Sequence, residues 1–249
     1  MFAVATHSRL RHARFFPAML RATLAVRADL RTTRGLLRAA NVIGGPTEFF
    51  TVTVWTTRDA MQAFMSSGTH EEIMWRWPEW LSSFWLGRLE PSGRESGKWR
   101  GLALGPLIGK GGPAHATFTA PTFASHDQRP RDLERYRLGA AIAVFRPART
   151  VRWPAAFAAL RRHAEAVEGS PGLLVRARGF SLDGELVALS LWRDEQAATR
   201  AAEEAARLGG AGTRAWSMVW RPLDEFGMWD RLRLRRLVTD PPVAAQRSR

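Results

Sequence analysis

The residues able to do chemistry are few. The chain has six histidines and no cysteine, which excludes disulfides, thiolate metal sites and cysteine nucleophiles and fits a reducing compartment. His70 opens a helical stretch beside Glu71 and Glu72. An imidazole there can ligate a metal or move a proton, provided an acceptor on its second nitrogen sets the tautomer. The plain alternative is a helix-start histidine with no ligand. His7, on a strand reaching the same sheet end, is the second candidate, whereas His12, His115, His126 and His163 read as loop or surface residues. Several motifs fail. His70-Glu71 has no second histidine at zincin spacing, and no Gly-x-Ser-x-Gly elbow occurs. Gly105 to Gly111 has three spacers where a P-loop has four, and no Ser or Thr follows Lys110.

Tryptophan supplies the other signal. Trp55 and Trp192 each end a strand, preceded two positions earlier by Thr53 and Ser190. Trp75, Trp77, Trp80 and Trp85 cluster, as a packing platform or the mouth of an apolar pocket, and Trp216, Trp220 and Trp229 echo them downstream.

These echoes belong to an internal repeat. A shift of 137 positions lays Phe16-Pro17-Ala18 on Trp153-Pro154-Ala155, Gly35-Leu36-Leu37 on Gly172-Leu173-Leu174, and Trp55 on Trp192. Further on, a shift of 144 lays Met74 on Met218, Pro78 on Pro222 and Trp85 on Trp229, which places seven extra residues in the second copy near Glu203–Ala211. The first copy predicts a strand over 2–7, a helix over 15–34, strands over 36–43 and 48–55, helices over 59–66 and 70–83, and a strand over 84–89. The second predicts strands over 140–145, 173–180 and 185–192, with helices over 154–167 and 194–208; Leu182-Asp183-Gly184 marks a hairpin turn. Each copy is a β-α-β-β-α-β unit, which is ferredoxin-like and leaves one sheet face bare. Two units can bury those faces against each other. The expected domains are 1–90, a Gly/Pro-rich linker over 91–135, a second repeat over 136–237, and a disordered tail over 238–249.

In the third strand of each copy one face is aliphatic (Phe50, Val52, Val54; Val187, Leu189, Leu191). The other is mixed and carries Thr53, Trp55, Ser190 and Trp192. The aliphatic face is expected against the helices and the mixed face toward the space between the sheets, as a substrate pocket with His7 nearby. Ordinary core packing is the competing reading.

At 45% hydrophobic the chain can bury a real core, and it lacks the long apolar run of a transmembrane helix. The formal charge of +14 rests almost wholly on Arg, with Lys98 and Lys110 the only lysines, and the arginines are scattered. Nucleic acid is therefore not the expected partner. The Arg-rich first 38 residues resemble a transit peptide, but they have an internal twin and so are expected to be part of the fold. Their basic helix could also lie on an anionic membrane surface.

The segments Thr53-Val-Trp55-Thr-Thr-Arg-Asp-Ala-Met61-Gln-Ala-Phe64, Gly68-Thr-His70 and Ser190-Leu-Trp192 resemble the dimeric α+β barrel superfamily. That group includes antibiotic-biosynthesis-type and heme-degrading monooxygenases, and the chain looks closest to the spheroidene monooxygenase family. The resemblance implies oxygenation of an apolar, carotenoid-like or polyketide-like molecule, with heme as a suspected cofactor and His70 as its axial ligand or a catalytic group. Position 70 falls on Arg214 in the second copy, so at most one heme per chain is implied.

The expected fold is α+β, a tandem pair of ferredoxin-like units forming an α+β barrel. The expected function is a monooxygenase-like oxidoreductase on a hydrophobic small molecule, heme-assisted or cofactor-free. The alternative is a non-catalytic barrel binding heme or an apolar ligand. A monomer or homodimer is expected, cytoplasmic or peripheral at the membrane surface, with no metal beyond a heme iron at His70.

Overall fold

Eight strands close into one barrel. In the computed structural model, which describes residues 1–66, 68–108, 131–133, 136–210 and 212–239, the first half comprises β1 (Phe2–Leu10), α1 (Phe16–Thr32), β2 (Leu36–Ile43), β3 (Glu48–Trp55), α2 (Arg58–Met65), α3 (Gly68–Trp80) and β4 (Leu81–Ser96). After a two-residue strand β5 (Arg131–Asp132), the second half repeats the order: β6 (Gly139–Pro147), α4 (Trp153–Glu168), β7 (Leu173–Ser181), β8 (Glu185–Trp192), α5 (Glu195–Arg207) and β9 (Thr213–Gly227). A short α6 (Leu234–Thr239) follows. Strand order is β4-β1-β3-β2-β7-β8-β6-β9-β5, and β4 also pairs with β9, which closes the ring. The chain is thus a duplicated α+β barrel whose halves join at the β2–β7 and β4–β9 seams.

Local chemistry sets the element ends. Pro17 and Pro154 sit in the first turns of α1 and α4, where a missing N–H costs nothing. Thr57 caps α2 by accepting from Ala60 N at 3.2 Å, and Asp194 caps α5 by accepting from Ala197 N at 2.7 Å.

The facing of the strands is the reverse of the expectation. Phe50, Val52 and Val54 point into the barrel with Val187, Leu189 and Leu191, in one core shared by both halves. Trp55 packs under α1 and α2 with Phe2, Val4, Leu30, Met61 and Phe64. Trp192 packs under α5 with Ala197, Ala198, Ala201 and Ala202. The physical reason is that helices cover the outer face, so both faces are buried and the aliphatic one joins the core shared by the two halves. The mixed face satisfies itself: Trp55 Nε1 donates to Thr53 Oγ1 and Trp192 Nε1 to Ser190 Oγ, each at 2.9 Å.

The length difference between the copies is also reversed. Ala3 on β1 pairs with Leu89, and its counterpart Ala140 on β6 pairs with Trp220, a shift of 131 positions. The counterpart of Trp85 is therefore Trp216, not Trp229, and the extra residues lie in the first copy, as α3.

β4 runs to Ser96, six residues into the stretch expected as linker, and the chain then turns back into the barrel. Two matched segments do this. Glu95-Ser-Gly97-Lys-Trp99-Arg-Gly-Leu102-Ala-Leu104 and Glu225-Phe-Gly227-Met-Trp229-Asp-Arg-Leu232-Arg-Leu234 share the pattern Glu-x-Gly-x-Trp-x-x-Leu-x-Leu. Trp99, Leu104, Trp229 and Leu234 are buried in the central core. Each glutamate receives the other half's indole: Trp216 Nε1 donates to Glu95 at 2.6 Å, and Trp85 Nε1 to Glu225 at 2.9 Å. The glycines adopt φ of +77° and +79°, and a Cβ at either would lie 2.3 or 2.2 Å from a carbonyl oxygen of the facing strand. Residues 109–130, in the expected linker, and 240–249, in the expected tail, lie outside the described residues.

Candidate functional site

A cavity of about 90 Å³ lies in the first half, between the outer face of the sheet and α1, α2 and α3. β1 supplies Val4, Thr6 and Ser8 to it, and β3 supplies Phe49, Thr51 and Thr53, every second residue of each strand. Trp55, Met61, Phe64, His70 and Trp77 form the helix side. The lining contains no charged residue.

Three buried polar atoms in this lining have no partner among the described residues: Asn41 Oδ1, His70 Nδ1 and Trp77 Nε1. Buried polar atoms are seldom left unpaired, so three in one cavity mark where a ligand's polar group would bind. His70 lies against Phe64 and Trp77, with ring centroids 5.1 and 6.2 Å away. Burial pushes its pKa down, partly offset by a hydrogen bond to the Met65 backbone. The imidazole is neutral near pH 7, and its unpaired Nδ1 belongs to the cavity lining.

Of the residues singled out in the sequence, Thr53, Trp55 and His70 meet in this cavity. Ser190 and Trp192 form the matching pair in the second half, under α5, and His7 points into the barrel instead. There His7 stacks on Trp229 with centroids 4.1 Å apart, and its Nε2 lies 3.0 Å from Glu48 Oε1. Trp77 lines the cavity, Trp85 is in the barrel core, and Trp75 is exposed. His163, expected at the surface, is buried on α4 against Phe145, and burial lowers its pKa to about 4. Asn41 was missed, because one asparagine in the apolar strand Leu36–Ile43 carries no spacing signal. Its place in the same lining as His70 emerges only when β2 pairs with β3.

No group of three or more His, Cys, Asp or Glu among the described residues could hold a metal ion. The lining does not fit a heme either. A porphyrin's two carboxylates would meet no Lys or Arg in this lining.

No family model matches the chain, and no curated protein matches it in sequence. Among solved structures it is similar to a candidate monooxygenase from Lactobacillus acidophilus, at 8% identity over 92% of this chain and 99% of that one, with a TM-score of 0.35. A candidate monooxygenase from Fusobacterium nucleatum aligns at 9% identity over 90% and 93%, with a TM-score of 0.33. An anthrone oxidase-like protein aligns at 13% over 93% and 94%, with a TM-score of 0.34. Likenesses at this level carry no argument about chemistry, and the architecture rests on the strand register.

Proposed function

We propose that the first-half cavity binds the reacting part of an apolar small molecule and that the protein oxygenates it without a cofactor of its own. One observation carries this reading: a neutral imidazole, His70, is buried in an apolar cavity with an unpaired nitrogen. A base so placed removes a proton from a substrate O–H or an acidic C–H. The resulting anion is electron-rich and can reduce O₂. Oxidation of one CH₂ to a carbonyl by one O₂ releases one water, which balances without an external reductant. Asn41 and Trp77 would hold the substrate oxygen, and Trp55 and Phe64 the flat apolar body. The resemblance to monooxygenases of carotenoid-like and polyketide-like molecules agrees with this substrate class.

The test is O₂ uptake with anthrone, whose ring CH₂ is both apolar and acidic. Wild type consumes O₂, and His70→Ala lowers kcat by about 10²–10⁴-fold while leaving the thermal transition in place. Binding of anthrone with no O₂ uptake by wild type would make this a binding barrel. A Soret band on adding hemin that His70→Ala removes would overturn the cofactor-free reading.

A further inference from the structure

The second half has no counterpart of α3, and this leaves open a face that the first half covers. In the first half, Phe16 and Ile43 pack with Trp77 and Trp80 of α3. At the 137-residue shift their counterparts are Trp153 and Phe180, and that of Leu20 is Phe157. Trp153 lies 5.8 Å from Phe157 and 5.6 Å from Phe180, ring centre to ring centre. Phe157 is 51% exposed, Phe180 40% and the neighbouring Val151 80%. These four residues form a protruding apolar knuckle at the N-terminus of α4.

The surround of the knuckle is mostly basic; the carboxylate on its β2–β3 side is Glu48, near Gly44 and the Arg178 backbone, and it lies 3.0 Å from His7 Nε2. Arg149, Arg152 and Arg178 are exposed, and none has an ion pair among the described residues. Behind them Arg146 pairs with Arg214 across β6 and β9, both exposed. No Asp or Glu occurs from 146 to 164, from 170 to 182 or from 212 to 223. The nearest carboxylates on α4, Glu165 and Glu168, lie at its far end, about 18 Å along the helix.

We infer that this knuckle docks the protein on an anionic lipid bilayer. Trp favours the headgroup boundary, where its apolar body and polar N–H are both satisfied, and Phe and Val add apolar area that inserts below it. Arginines around them add attraction to anionic lipid. Geometry supplies a reason for the location: Phe180 is the direct strand partner of Ile43, and Ile43 and Leu182 line the cavity. An apolar compound dissolved in the bilayer would meet the knuckle within one strand's width of the site. Docking itself does not depend on the proposed activity and is read without substrate.

The experiment is co-sedimentation with vesicles containing phosphatidylglycerol, against vesicles of phosphatidylcholine alone. Wild type binds the anionic vesicles, and added salt weakens binding. Arg149→Gln/Arg152→Gln lowers the partition coefficient about twenty-five-fold, at about fivefold per arginine. Val151→Asp/Phe157→Asp abolishes binding with an unchanged circular dichroism spectrum, whereas Arg14→Gln/Arg21→Gln on α1 binds like wild type. The inference fails if wild type ignores anionic vesicles, if the arginine pair binds as wild type does, or if only the α1 variant loses binding. It fails too if the knuckle variants merely dissolve a dimer seen by gel filtration, since a second copy would then be the occupant.

Discussion

The two halves share one backbone plan but treat the space between sheet and helices in opposite ways. In the first half Phe2, Met61 and Phe64 hold α2 off the sheet, Ser8 leaves room, and a cavity remains. At the matching positions the second half has Gly139, Ala198, Ala201 and Phe145. A Cβ at Gly139 would lie 2.6 Å from Ala198 Cβ, so α5 sits against the strand with nothing between. The conserved geometry is the Trp-to-hydroxyl hydrogen bond, and it is structural in both halves. What separates a site from a core here is the size of the neighbouring side chains and the presence of α3, not the motif that first attracts notice.

Acid tests this contrast most strongly. His163 occupies the place of cavity-lining Val26, and its pKa falls from 6.5 to about 4 on burial. Above pH 6.5 the residue is neutral folded or unfolded and its contribution is constant. Below that the unfolded chain takes up the proton first, so stability is lost as pH falls toward about 4. The loss from this residue is about 3 kcal/mol. Urea unfolding across that range should show it in wild type and not in His163→Leu. His70, also lowered by burial, acts in the same direction.

Gly139→Ala tests the tight side directly. The new methyl would meet Ala198 Cβ and the Asp194 carbonyl, the latter at 2.7 Å, and the backbone must shift. A loss of about 2 kcal/mol is expected from the denaturation midpoint. The smallest effect is a paired one. Trp192→Phe removes a hydrogen bond and opens a void in a filled layer, at about 1.5 kcal/mol. Trp55→Phe enlarges a space that already exists, at about half that. Equal losses would mean that the cavity is closed in solution.

The duplication was legible because Pro, Gly and Trp coincide at a fixed shift, and β2, β3 and β8 begin and end at the bounds expected from the sequence. Which face of β3 lies inside was not legible. Alternation separates two faces, but here both are buried, one by the barrel and one by helices. The position of the inserted helix was misread because Met, Pro and Trp recur often enough to support a wrong shift. The paired Glu-x-Gly-x-Trp segments went unnoticed because the first of them opens a Gly- and Pro-rich stretch. Of the site, Thr53, Trp55 and His70 were visible as residue types at strand and helix ends, but their meeting in one cavity depends on α3 folding back against α1 and β4.

The crossed bonds from Trp216 to Glu95 and from Trp85 to Glu225 join positions 121 and 140 residues apart. Each half thus lends the glutamate that seats its partner's indole. Losing either closing segment leaves a buried indole of the other half without its acceptor and uncovers the core that both halves share. Denaturation should be a single transition by every probe. Refolding should be slow for a chain of this size, because its distant contacts must form before the shared interior is dry.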